Sequence, residues 1–104
     1  MFGRLTRFAG VADDGSLERY LGLVHERVLP VVRAIPGFRG YLALSDSERG
    51  EVLVLTLWAG EQQMRESEET TVQLRSQAAD KVGATVLSVE RLRVEISELD
   101  IGKA

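Results

Sequence analysis

Two periods, two and about three and a half residues, organise the apolar positions of this 104-residue chain and divide it into elements. Residues 2–9 (FGRLTRFA) alternate loosely and predict a first strand, ended by Gly10 and a turn at Asp13-Asp14-Gly15. Ser16 has the side chain of an N-cap, and Leu17, Tyr20, Leu21, Val24, Val28, Val32 and Ile35 then recur at spacings that keep them on one helical stripe. Pro30 lies inside that pattern and removes a backbone donor, so the helix is expected to kink or restart there and to stop at Pro36-Gly37. Phe38–Ser45 predicts strand two, DSERG at 46–50 a hairpin connection, and Glu51–Trp58 (EVLVLTLW) a third strand apolar on both faces. Met64, Thr71, Leu74, Ala78 and Val82 mark a second helical region, expected to break near 67–70 and to end at Gly83. Val86–Ile96 alternates as a fourth strand.

The order βαββαβ gives an α+β, ferredoxin-like fold: a four-stranded antiparallel sheet with two helices on one face. Residues 1–97 read as one domain and 98–104 as a polar tail. With Leu53, Leu55 and Leu57 turned to the helices, Val52, Val54, Thr56 and Trp58 would form the opposite face. That surface is too apolar to leave in water, and laying it on a second copy is the physical remedy. The sequence thus predicts a homodimer with Val52, Val54, Thr56 and Trp58 in its interface. A monomer with a solvated sheet is the competing arrangement.

Composition narrows the partners. The 44% apolar content supports a real core, while 13 basic and 16 acidic residues are interspersed and sum to −3. No polybasic tract exists, which argues against nucleic acid. With no cysteine there are no disulfides, thiolate metal sites or cysteine nucleophiles. Arg4 and Arg7 interrupt the N-terminal apolar stretch, and no apolar run approaches the roughly 20 residues of a membrane span. A cytoplasmic protein without a membrane partner is the expectation. Arginine supplies 11 of the cations and asparagine is absent.

Three features together carry a resemblance. A helix runs through Val28-Leu29-Pro30-Val31-Val32-Arg33-Ala34-Ile35 into Pro36-Gly37-Phe38. Strand three, Leu53-Val54-Leu55-Thr56-Leu57-Trp58, ends in tryptophan before an acidic helix start at Glu61. The βαββαβ order and the length complete the set. In these respects the chain resembles the dimeric α/β-barrel group that includes the antibiotic biosynthesis monooxygenases (ABM-like proteins). The resemblance implies a homodimer with one pocket per subunit between sheet and helices. It also implies that some relatives oxidise quinols or aromatic intermediates with molecular oxygen and no cofactor, while others open haem and others have no known chemistry. The haem-degrading branch uses an asparagine on strand one with a tryptophan and a histidine in the second helical region. This chain has no asparagine, its tryptophan ends strand three and its histidine is on the first helix, so that activity is not expected.

Candidate chemistry rests on few residues. His25, the single histidine, sits at the shoulder of the helical stripe and is the candidate general base, imidazole being the side chain most often used to take a phenolic proton. A part-buried boundary residue explains it more simply. One histidine without a spaced second ligand predicts no metal site. Trp58 offers a stacking face for a flat substrate, though it serves equally as a packing residue. Arg39 and Tyr41, read as sharing a face of strand two, could hold a phenolate. Arg91 and Arg93 read as salt-bridging residues. The reading is an ABM-like, cofactor-free monooxygenase acting on a small aromatic or quinol compound, with a non-catalytic ligand-binding or structural homodimer as the alternative.

Overall fold

Alternation along β1 (Phe2–Ala9) places Arg4, Thr6 and Phe8 in the interior and leaves Leu5 and Arg7 on the other side of the sheet. The computed structural model describes residues 1–11 and 14–100. After β1 come α1 (Asp14–Leu23), a π-helical turn (Val24–Val28), α2 (Leu29–Arg33), β2 (Phe38–Asp46) and β3 (Glu51–Trp58). Then α3 (Glu61–Glu66), α4 (Glu68–Val82) and β4 (Thr85–Arg93) follow. The strands form one antiparallel sheet in the order β2-β3-β1-β4, with β3 and β1 central. This is the ferredoxin-like α+β fold that the element order predicts. No helix among the described residues is long and apolar enough to cross a membrane.

The first helical segment departs from the sequence reading at both ends. Ser16 is not its N-cap, because the helix is already running at Asp14; Ser16 lies in the first turn and accepts a bond from Arg19. Asp13, part of the predicted turn, lies outside the described residues. Near Pro30 the helix neither stops nor simply kinks. One π turn precedes the proline, and Leu29 N–H donates to Val24 O, five residues back. Widening the ladder there accommodates a ring that lacks a donor and crowds the preceding turn. The second region breaks at Ser67 as expected, and Gly83 closes α4 at a positive φ of 70°. β4 ends at Arg93, short of the predicted Ile96.

The sheet is turned over relative to the predicted faces. Val52 and Val54 belong to the core with Phe8, Tyr20, Val24, Ala78, Ala79 and Val82; Thr56 and Trp58 are also buried, Trp58 completely. These four residues therefore point at the helices and cannot form a partner interface. The outer face instead carries leucine: Leu5 opposite Leu55, Leu55 opposite Leu42, and Leu53 opposite Leu44. Gly3, between Leu57 and Leu92, leaves room for the Leu55 and Leu57 side chains, which come within 3.1 and 3.5 Å of where a Cβ would stand. Valine and leucine alternate along β3 with nearly equal hydrophobicity, so the period shows two apolar faces without saying which is inside.

Candidate functional site

The space between the sheet and the helices narrows around one buried cation. Arg4 is 2% exposed. Its guanidinium donates to Thr71 Oγ1 (3.0 Å), Met64 O (2.7 Å), Ser67 Oγ (3.0 Å) and Glu68 Oε1 (3.4 Å). The break between α3 and α4 is what presents Met64 O and Ser67 Oγ to it, since both lie where the helix restarts. Its guanidinium carbon stands 5.6 Å from the Trp58 ring, and the indole Nε1 donates to Thr56 Oγ1 at 3.0 Å. Burial pulls the Arg4 pKa below the ordinary value, opposed by the charge of Glu68. Its Nε remains buried and without a partner.

Arg4 forms part of the wall of an inner cavity of about 50 Å³. Thr6, Phe8, Val28, Val32, Val54 and Thr56 supply much of the rest, with Tyr20, Tyr41, Thr71, Leu74, Arg75 and Ala78. Tyr20 and Tyr41 share a hydrogen bond; burial raises both pKa values, and the bond favours the neutral form of Tyr20 while opposing the rise at Tyr41. One hydroxyl of the pair donates and the other accepts, so one phenolic proton stays free for another acceptor. Arg75 lies on the same wall and makes no hydrogen bond or ion pair among the described residues. Its neighbour Glu68 is held by Arg91 and Arg4. Burial, the largest influence, and the charge of Arg91 lower the Arg75 pKa, against the pull of Glu68. Among the described residues no carboxylate lines the cavity. An apolar chamber with two cations and two protonated phenols is built to favour an anion.

Beside it lies an outer groove of about 340 Å³ between the π turn, α2 and the edge strand β2, lined by Leu21, Val24, His25, Leu29, Arg33, Phe38, Tyr41 and Ala43. The structure distributes the sequence candidates between these spaces. Tyr41 borders both. His25 is exposed and borders only the groove. Trp58 is wholly enclosed, against Phe38 at 5.7 Å, and borders neither. Arg39 is exposed and borders neither, because a bulge between Phe38 and Gly40 breaks the alternation that would have put it on the Tyr41 face. Arg91 and Arg93 do form ion pairs, Arg93 with its near neighbour Glu95 and Arg91 across to Glu68 on α4.

Sequence reasoning missed Arg4 and Arg75. Both had a signal: Arg4 falls in phase with Thr6 and Phe8 on β1, and Arg75 follows Thr71 by one turn on the buried side of α4.

A family model described as antibiotic biosynthesis monooxygenase matches residues 1–79. No curated protein matches the sequence. Solved structures do. The monooxygenase from ActVA-Orf6 of Streptomyces coelicolor, in complex with nanaomycin D, is 17% identical with a TM-score of 0.71 over 95% of this chain and 91% of that one. SnoaB, a cofactor-independent oxygenase from Streptomyces nogalater, is 11% identical with a TM-score of 0.65 over 92% and 94%. A candidate antibiotic biosynthesis monooxygenase from Deinococcus radiodurans is 17% identical with a TM-score of 0.70 over 98% and 100%. At these identities the likeness establishes the fold alone.

Proposed function

Since the chain belongs to the antibiotic biosynthesis monooxygenase family, we propose that its inner cavity binds a small aromatic or quinol compound as its anion and promotes its oxidation by molecular oxygen without a cofactor. The observation that carries this reading is Arg75, a cation on the wall of an apolar chamber with no carboxylate of its own. Two solved relatives of the same fold lend it support: one is described as a cofactor-independent oxygenase, and the other holds nanaomycin D.

The chemistry follows from the charges. With both tyrosines held protonated and both arginines cationic, the chamber has no side chain suited to accept a proton. It lowers the pKa of a bound phenol instead, and the anion is the electron-rich form that oxygen oxidises. Arg75 and the free phenolic proton of the Tyr20–Tyr41 pair balance the oxyanion, and the apolar walls exclude water. The substrate gives two electrons in forming its new carbon–oxygen bond, and two more reduce the second oxygen atom to water with two substrate protons. The ring leaves as the quinone. His25 is assigned no part in that step, because it borders only the outer groove.

The same protein acts as a homodimer joined through the leucine face of its sheets. Leu44 and Leu92 are 52% and 47% exposed in the single chain, and such a surface needs cover.

Oxygen uptake with a panel of hydroquinones tests the catalytic reading. Wild type is expected to consume oxygen, Arg75→Gln to lose at least tenfold in kcat/KM, and His25→Ala to retain wild-type rates. No uptake by wild type over the uncatalysed background would leave ligand binding without chemistry as the function.

A further inference from the structure

By itself, as the empty protein holds it, the inner cavity is too small to enclose the whole of the ligand whose anionic end its charges select. Sites for organic ligands enclose roughly 300–1,000 Å³, against about 50 Å³ here. The outer groove has the missing volume, about 340 Å³, and the two share a single residue, Tyr41. We propose that the two spaces are one binding site for a planar anionic compound of at least two fused rings, divided in the empty protein by the Tyr41 side chain as a movable partition. The inference rests on the reading of the inner cavity as a ligand site.

The partition hangs on soft structure. Tyr41 lies on the edge strand β2, next to Gly40 and the bulge between Phe38 and Gly40. Across the groove stands the π turn, which contributes Val24 and His25 to the wall. Bulges and π turns are where a ladder is already interrupted, so a shift there breaks few further bonds. One hydrogen bond, shared with the Tyr20 hydroxyl, latches the Tyr41 ring in place. The lining sets the ligand's orientation: its ionised oxygen goes to Arg75, its rings lie against Phe38 and Leu29, and a polar substituent reaches Arg33 at the outer end.

The lone histidine and lone tryptophan make the test direct. Lawsone, a two-ring hydroxyquinone that is anionic at neutral pH, serves as the probe. Trp58 fluorescence reports the inner end, through Arg4, and the His25 imidazole proton resonances report the outer end. In wild type both signals are expected to change along one saturation curve. Ala43→Trp, at an exposed position bordering only the groove, should weaken binding at least tenfold without lowering Tm. Tyr20→Phe, which removes the latch, should speed association about fivefold, the weight of one neutral hydrogen bond. Tryptophan quenching with unmoved imidazole resonances and an unaffected Ala43→Trp variant would overturn the joined site while sparing the inner one. No binding by wild type would overturn both. The imidazole readout needs no variant, so it decides the matter even if Ala43→Trp fails to fold.

Discussion

Arg4 ties three elements together, because its guanidinium on β1 meets the end of α3 and the first turn of α4. Truncation to an apolar residue removes the four bonds Arg4 gives to Thr71, Met64, Ser67 and Glu68, although the Ser67 and Thr71 hydroxyls still donate to Met64 O and Ser67 O. Arg4→Met is expected to cost about 2–4 kcal/mol, read as a lower urea midpoint. Arg75→Gln breaks no bond among the described residues and should leave that midpoint within about 0.5 kcal/mol of wild type. The contrast separates a structural cation from a functional one. Glu68 adds a pH dependence. The bond from Arg91, foremost, and the charge of Arg4 hold its folded pKa below the ordinary carboxylate value, against the cost of burial. Its contribution to stability is therefore complete above the unfolded pKa and fades as pH falls through the lower folded one. Glu68→Gln should flatten the loss of stability between pH values of about 5 and 3, measured by urea unfolding across that range, with little change in slope above it.

Among the elements, the junction before β2 is fixed by backbone conformation. Gly37 has φ of 88°, its carbonyl accepts Ala59 N–H at 2.7 Å, and a Cβ would stand 2.6 Å from the Gln63 side chain. Gly37→Ala is expected to lower stability by about 1–3 kcal/mol, seen as a drop in Tm. Pro36-Gly37 was legible as a stop because such residues act locally. The π turn was not, since Pro30 announces a disturbance in the helix but not how the chain resolves it. The bulge in β2 left no local mark either, and it leaves Arg39 itself unpaired while Gly40 and Tyr41 pair with Leu57 and Thr56.

For the whole molecule, the reversal of the sheet strengthens the case for self-association while changing its residues. A leucine surface is more uniformly apolar than the valine, threonine and tryptophan face that the sequence suggested, and it suits packing of one sheet on another. Light scattering coupled to size exclusion should give twice the monomer mass at micromolar concentration. Leu55→Arg should give the monomer mass or aggregate, and a wild-type monomer would sink the dimer.

The sequence by itself determined the element order, the antiparallel ferredoxin-like sheet, the helix break at Ser67 and the existence of two apolar sheet faces. Each follows from periodicity and from local backbone chemistry at glycine and proline. Only tertiary structure decided which face is inside. Arg4 needs Met64 O on α3 and the Ser67 and Thr71 hydroxyls where α4 begins, which draws its side of β1, and with it Val52, Val54, Thr56 and Trp58, toward the helices. The same choice brought Arg75, Tyr20 and Tyr41 to one cavity and left His25 outside it, because convergence across 55 residues of chain is a property of packing that no spacing along the sequence records.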